Sequence, residues 1–133
     1  MVPISVSLQE QDPGVGVVTL IGEHDAFSSG RLENELAVLL DDGLRIVVDL
    51  RDATFIDSQT LSALLGARYE AEQGALGFAL VLSEDRYTQV HRLLDLTRLG
   101  GAFAVFPTIE RATAAVRAGE AGGGRIRARD RAR

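Results

Sequence analysis

The chain has 133 residues, of which 46% are hydrophobic and 25% charged, and its formal net charge is −5. That length suits one compact domain with a real core, and the composition excludes wholesale disorder. There is no cysteine and there are two histidines, His24 and His91, which excludes disulfides, thiolate catalysis and cysteine metal sites and argues against a histidine zinc site.

Ile4-Ser5-Val6-Ser7-Leu8 alternates apolar and polar residues, the period of a half-buried strand. Residues 15–21 are rich in β-branched side chains and read as a second strand. Asp12-Pro13-Gly14 between them is turn chemistry, so a hairpin is predicted, closed by Gly22-Glu23-His24-Asp25. Leu32, Leu36, Leu39 and Leu40 then recur at helical spacing, with Ser28 or Ser29 as cap and Gly43 as stop. Residues 45–50 form a short apolar run, the pattern of a buried parallel strand. Leu61, Leu64, Leu65 and Tyr69 mark the apolar face of a second helix, and residues 77–82 a further buried strand. Ser83-Glu84-Asp85 offers a cap and two acids for a third helix, whose apolar face is Val90, Leu93 and Leu94. A last strand covers residues 102–106. Pro107-Thr108 opens a final helix with Ile109, Ala112 and Val116, stopped by Gly119.

The predicted order is β-β-α-β-α-β-α-β-α. Strands alternating with helices imply an α/β fold: one domain over residues 1–118, a mixed and mostly parallel sheet, an N-terminal hairpin at its edge, and four helices. Residues 119–133 contain Gly122-Gly123-Gly124 and arginines at 125, 127, 129, 131 and 133, and are expected to be a flexible tail. Charge divides the same way. Residues 1–119 hold nine arginines against 17 acids, a net of −8, and residues 120–133 hold five arginines against Glu120 and Asp130, a net of +3. An acidic body disfavours direct nucleic-acid binding. No apolar run approaches the roughly 18 residues of a membrane span. Met1-Val2-Pro3-Ile4-Ser5 lacks the basic-then-apolar pattern of a leader, so a cytoplasmic protein with no membrane contact is expected.

The segment with most chemistry is Asp49-Leu50-Arg51-Asp52-Ala53-Thr54-Phe55-Ile56-Asp57-Ser58-Gln59-Thr60-Leu61. Phe55 and Ile56 are expected to anchor the loop to the core. Asp57 or Ser58 falls at the helix N-cap, where a side-chain oxygen accepts from the first free backbone N–H groups. Two readings stand on these residues. One is a plain cap. The other is a phosphoacceptor serine, because free N–H groups and the positive helix dipole stabilise an added anion. Asp25, at the end of another strand, is expected near the same rim. An enzymatic reading would take Ser58 as nucleophile and His24 as its base, but no Gly-x-Ser-x-Gly elbow is present. His24 is expected on the rim, and His91 at the surface or half-buried. The glycine run at 122–124 lacks the lysine and hydroxyl residue of a phosphate-binding loop.

Gly22-Glu23-His24-Asp25 after one strand, and Asp49-Leu50 with Phe55-Ile56-Asp57-Ser58 and Leu61 after the next, resemble the STAS domain of the bacterial anti-sigma-factor antagonist type. The resemblance spans roughly residues 4–118, including the order of elements. It implies a non-enzyme that captures an anti-sigma factor and so frees a sigma factor. It implies that this partner is also a serine kinase, which brings the ATP and phosphorylates Ser58 to end the capture, and that a serine phosphatase restores it. The resemblance makes Asp25 and Asp57 the acidic neighbours of Ser58 and Gly22 the turn residue, and adds Gln59 and Thr60 to the partner surface. Family members usually continue with a small residue and glycine. Here Gln59 and Thr60 are expected to add bulk where the partner's nucleotide site approaches, with Thr60 as a second hydroxyl. No cofactor of its own is implied. STAS domains also serve lipid-transport ABC complexes and stress-signalling assemblies, which is the alternative.

Overall fold

The structure is a computed structural model that describes residues 4–9 and 12–119. The first two strands, β1 (Ile4–Gln9) and β2 (Asp12–Leu20), pair antiparallel. Then come β3 (Gly22–His24), α1 (Ala26–Asp41), β4 (Arg45–Asp49), β5 (Ala53–Ile56), α2 (Ser58–Gln73), β6 (Phe78–Val81), α3 (Gln89–Thr97), a 3-10 turn at Gly100–Ala102, β7 (Ala104–Phe106) and α4 (Ile109–Ala118). The main sheet runs β1-β2-β4-β6-β7, parallel from β2 onward, and a second sheet of two parallel strands is formed by β3 and β5.

The strand sequences explain this layering. Along β4 and β6 every residue but Arg45 is buried. Ile46, Val48, Phe78 and Leu80 face one way, onto Leu32, Leu36 and Leu39 of α1, Leu61 and Leu64 of α2, and Val90 and Leu94 of α3. Val47, Ala79 and Val81 face the other way, onto Ala112, Ala115 and Val116 of α4. A sheet covered on both faces needs continuous apolar runs, which is what residues 46–48 and 78–82 supply. Each fully buried Leu or Ile contributes about 1.5–3 kcal/mol. Gly77, at the entry to β6, lets α4 sit close, since a Cβ there would fall 2.8 Å from Val116 Cβ.

Several boundaries differ from the sequence pattern. β2 begins at Asp12, and pairing jumps from Leu8↔Gly16 to Gln9↔Asp12, so Asp12-Pro13-Gly14 belongs to an irregular strand start rather than the turn. Proline has no N–H for a ladder and is tolerated at such irregularities. α1 is capped by Asp25, whose carboxylate accepts from Phe27 N–H at 3.0 Å, and not by Ser28 or Ser29. Both serines lie inside the first turn, their hydroxyls donating to the carbonyls of Asp25 and Ala26. α3 starts at Gln89 with Thr88 as cap, and Ser83 and Asp85 instead cap local loop turns by accepting from Asp85 and Tyr87 N–H. Tyr69, placed on the apolar face of α2 by its spacing, is 62% exposed. The arginine-rich tail beyond Gly119 lies outside the described residues. Among the described residues no helix is long and apolar enough to cross a membrane.

Candidate functional site

The site is built by the small β3–β5 sheet, which periodicity does not reveal because each strand has only three or four residues. Gly22 opens it at φ +79, a left-handed conformation that suits glycine, and donates its N–H to Asp52 carbonyl at 2.9 Å. Asp49 locks the incoming turn. Its carboxylate accepts from Arg51 N–H at 3.0 Å and from the Arg51 guanidinium at 3.0 and 2.9 Å. That hydrogen-bonded pairing, opposed by partial burial, raises the Arg51 pKa above its ordinary value. Gln89, reaching from α3, completes the outer side of β5. Its amide accepts from Ile56 N–H and donates to Ile56 carbonyl, both at 2.8 Å.

His24 pairs with Ile56 across this sheet, so the chain leaves both strands side by side. Asp25 then caps α1 and Asp57 caps α2, with Thr60 N–H donating to the Asp57 carboxylate at 2.8 Å. The two helix starts are tied by the His24 carbonyl, which accepts from Asp57 N–H at 3.2 Å and from the Thr60 hydroxyl at 3.2 Å. Ser58 is the first residue of α2 and is exposed. Its hydroxyl makes no hydrogen bond among the described residues. Asp25 and Gln59 are exposed beside it, and Asp57 is half-buried.

The structure thus places Asp25, Asp57, Ser58 and Gln59 at the end of the small sheet where β3 and β5 lead into their helices, leaves Gly22 at the other end opposite Ala53, and turns Thr60 inward. Thr60 is fully buried with its side chain turned to β3. Of the bulk expected to meet a partner, the Thr60 side chain therefore points into the fold, while Gln59 remains exposed. His24 is likewise buried rather than on the rim. Its Nε2 donates to the Ile21 carbonyl at 3.0 Å and its Nδ1 lies 3.2 Å from Ser28 Oγ. Both ring nitrogens are engaged within β3 and α1, so His24 is not the free base that the enzymatic reading assigned to Ser58. His91 is buried, donating to the Ser83 carbonyl at 2.6 Å. Ile56 anchors the loop as expected, but Phe55 is 40% exposed.

Hollows of about 400 and 320 Å³ lie elsewhere, the first around His91 and Arg98 and the second between Leu36 of α1 and Ala63 of α2, and neither is lined by Ser58, Asp25 or Asp57.

Comparison with known proteins agrees. The STAS domain model matches residues 8–112. An anti-sigma factor antagonist from Mycobacterium paratuberculosis is 30% identical, with a TM-score of 0.70 over 86% of this chain and 94% of that one. A candidate anti-sigma factor antagonist from Thermotoga maritima is 22% identical, with a TM-score of 0.73 over 86% and 94%. The Bacillus antagonist SpoIIAA in its phosphorylated form is 20% identical, with a TM-score of 0.63 over 84% and 99%. No curated protein matches the sequence. The motifs, the α/β topology and the family match agree: this chain belongs to the STAS domain family.

Proposed function

We propose that the protein is an anti-sigma-factor antagonist that captures a serine-kinase anti-sigma factor and is switched off by phosphorylation of Ser58. The carrying observation is the exposed Ser58 hydroxyl at the first position of α2, next to the cap carboxylate of Asp57, with Asp25 capping the neighbouring α1. In the transfer, Ser58 Oγ bonds to the γ-phosphorus of ATP held by the partner. The bond to the bridging oxygen breaks, ADP leaves, and the hydroxyl proton passes to a base on the kinase.

The location suits reversible modification. A phosphate there gains from the helix dipole and the free N–H groups of the first turn, so the fold survives it. It also adds a charge of about −1.5 to −2 to a rim that already carries two carboxylates. A partner surface fitted to the unmodified rim meets a changed potential, which lowers affinity. A serine phosphatase reverses the step. The kinase and phosphatase act in the cytoplasm, and residues 1–118 form the domain that carries the switch.

The test is to incubate the full chain with the cognate kinase-type anti-sigma factor and ATP and to map phosphate by mass spectrometry. Modification at Ser58 is expected. An active kinase that leaves Ser58 unmodified would overturn the proposal.

A further inference from the structure

The chain has five phenylalanines, and they are not distributed evenly. Phe78 and Phe103 are buried against each other with ring centroids 6.3 Å apart, and Phe106 is half-buried. The two exposed ones, Phe27 and Phe55, both sit on the elements that build the Ser58 rim. Phe27 is in the first turn of α1 and 95% exposed, the most exposed large hydrophobic side chain among the described residues. Phe55 lies on β5, three residues before Ser58, opposite the exposed Glu23 of β3.

Nothing inside the fold requires an aromatic ring at position 27. Its backbone N–H serves the Asp25 cap, which any residue but proline would do equally. Phenylalanine is an indifferent helix former, and the first turn favours acids. Phe27 lies three residues past His24, whose carbonyl holds Asp57, so chain reach keeps Phe27 and Ser58 within about 20 Å. An ordinary interface covers about 800 Å² per partner, roughly 30 Å across, and takes in both.

We infer that Phe27 is the apolar anchor of this rim, with the exposed Phe55 of β5 as a second apolar contact. It seats in an apolar pocket of the serine-kinase anti-sigma factor. This rests on the proposed function above. It assigns two parts to recognition: the anchor on α1 supplies affinity, and Ser58 on α2 supplies the switched charge. Buried aromatic anchors ringed by polar groups carry most of the energy of such contacts.

The test is calorimetric titration of the cognate kinase-type anti-sigma factor with the full chain and with Phe27→Ala, Phe27→Leu and Tyr87→Ala. Tyr87 is 90% exposed on the loop before α3 and controls for generic loss of surface. Melting curves check that each variant is folded. Phe27→Ala is expected to weaken binding about thirtyfold or more, Phe27→Leu to keep most of the affinity, and Tyr87→Ala to stay within about twofold. A Phe27→Ala chain that binds within about twofold of the parent overturns the inference and leaves the proposed function intact. A parent chain that fails to bind an active kinase overturns the proposed function, and the inference with it.

Discussion

Restoring the family's glycine at position 60 separates a structural role from a docking role. Thr60 is fully buried, and its hydroxyl donates to the His24 carbonyl at 3.2 Å. Thr60→Gly removes that hydrogen bond, worth about 1 kcal/mol net. It also removes two buried carbons, Cβ and the γ-methyl, about 1.6 kcal/mol, and gives the first turn of α2 the backbone freedom of glycine, about 0.4 kcal/mol. The His24 carbonyl keeps its bond from Asp57 N–H, so no orphan penalty is added. The loss is about 3 kcal/mol, and for a chain of this length the melting temperature should fall by about 11 °C. Thr60→Val loses only the hydroxyl and should fall about a third as far. Thermal denaturation by circular dichroism measures both. Because the side chain faces β3, the rate of Ser58 phosphorylation should not change. A Thr60→Gly protein that melts with the parent and is phosphorylated faster would refute this account and place the side chain on the kinase-facing surface.

Ser58→Ala should keep partner affinity and Ser58→Asp should lower it about tenfold, by calorimetry; equal affinities would remove charge as the mechanism. Gly30 in α1 and Gly66 in α2 are exposed, and a Cβ on either would meet nothing within 4 Å. Gly30→Ala and Gly66→Ala should therefore each stabilise the fold by about 0.5–1 kcal/mol in denaturant titrations, and no gain at both would argue against helical backbone there. Gln89→Ala strands both polar groups of the Ile56 peptide and should cost about 1–3 kcal/mol, while Gln89→Glu, which keeps an acceptor for the N–H and loses the donor, should fall between.

The large features were legible because they rest on burial. Ile46, Val47 and Val48 are consecutive and apolar because the sheet is covered on both faces, and Leu32, Leu36 and Leu39 mark the face of α1 that covers it. The Ser58 rim was legible as a motif, and the fold positions Asp25 and Asp57 as its two caps. What stayed hidden was decided by contacts distant in sequence. The β3–β5 sheet is too short for a period of two to register. His24 looks like a polar loop residue until its carbonyl and ring are seen to join β3, α1 and α2. Thr60 reads as an exposed residue of a modified motif because a helix's inward side is unknown before its neighbours are placed. Gln89 lies 33 positions from the peptide it pairs, and no local signal announces such a bond. Phe55 shows the converse error, since an apolar residue beside a buried one need not be buried itself.

The Gln89 amide has a consequence for how anything can approach the rim. One side chain imitates the peptide of a neighbouring strand and occupies the outward hydrogen-bonding groups of Ile56, the last residue of β5 before Asp57. An extended segment from another protein cannot extend the small sheet at that point without displacing it. Main-chain pairing is largely indifferent to sequence, so with that edge occupied a partner docking as proposed would rely on side-chain identity and helix-end charge. A change of one or two surface residues would then alter the choice of partner with the backbone unaltered.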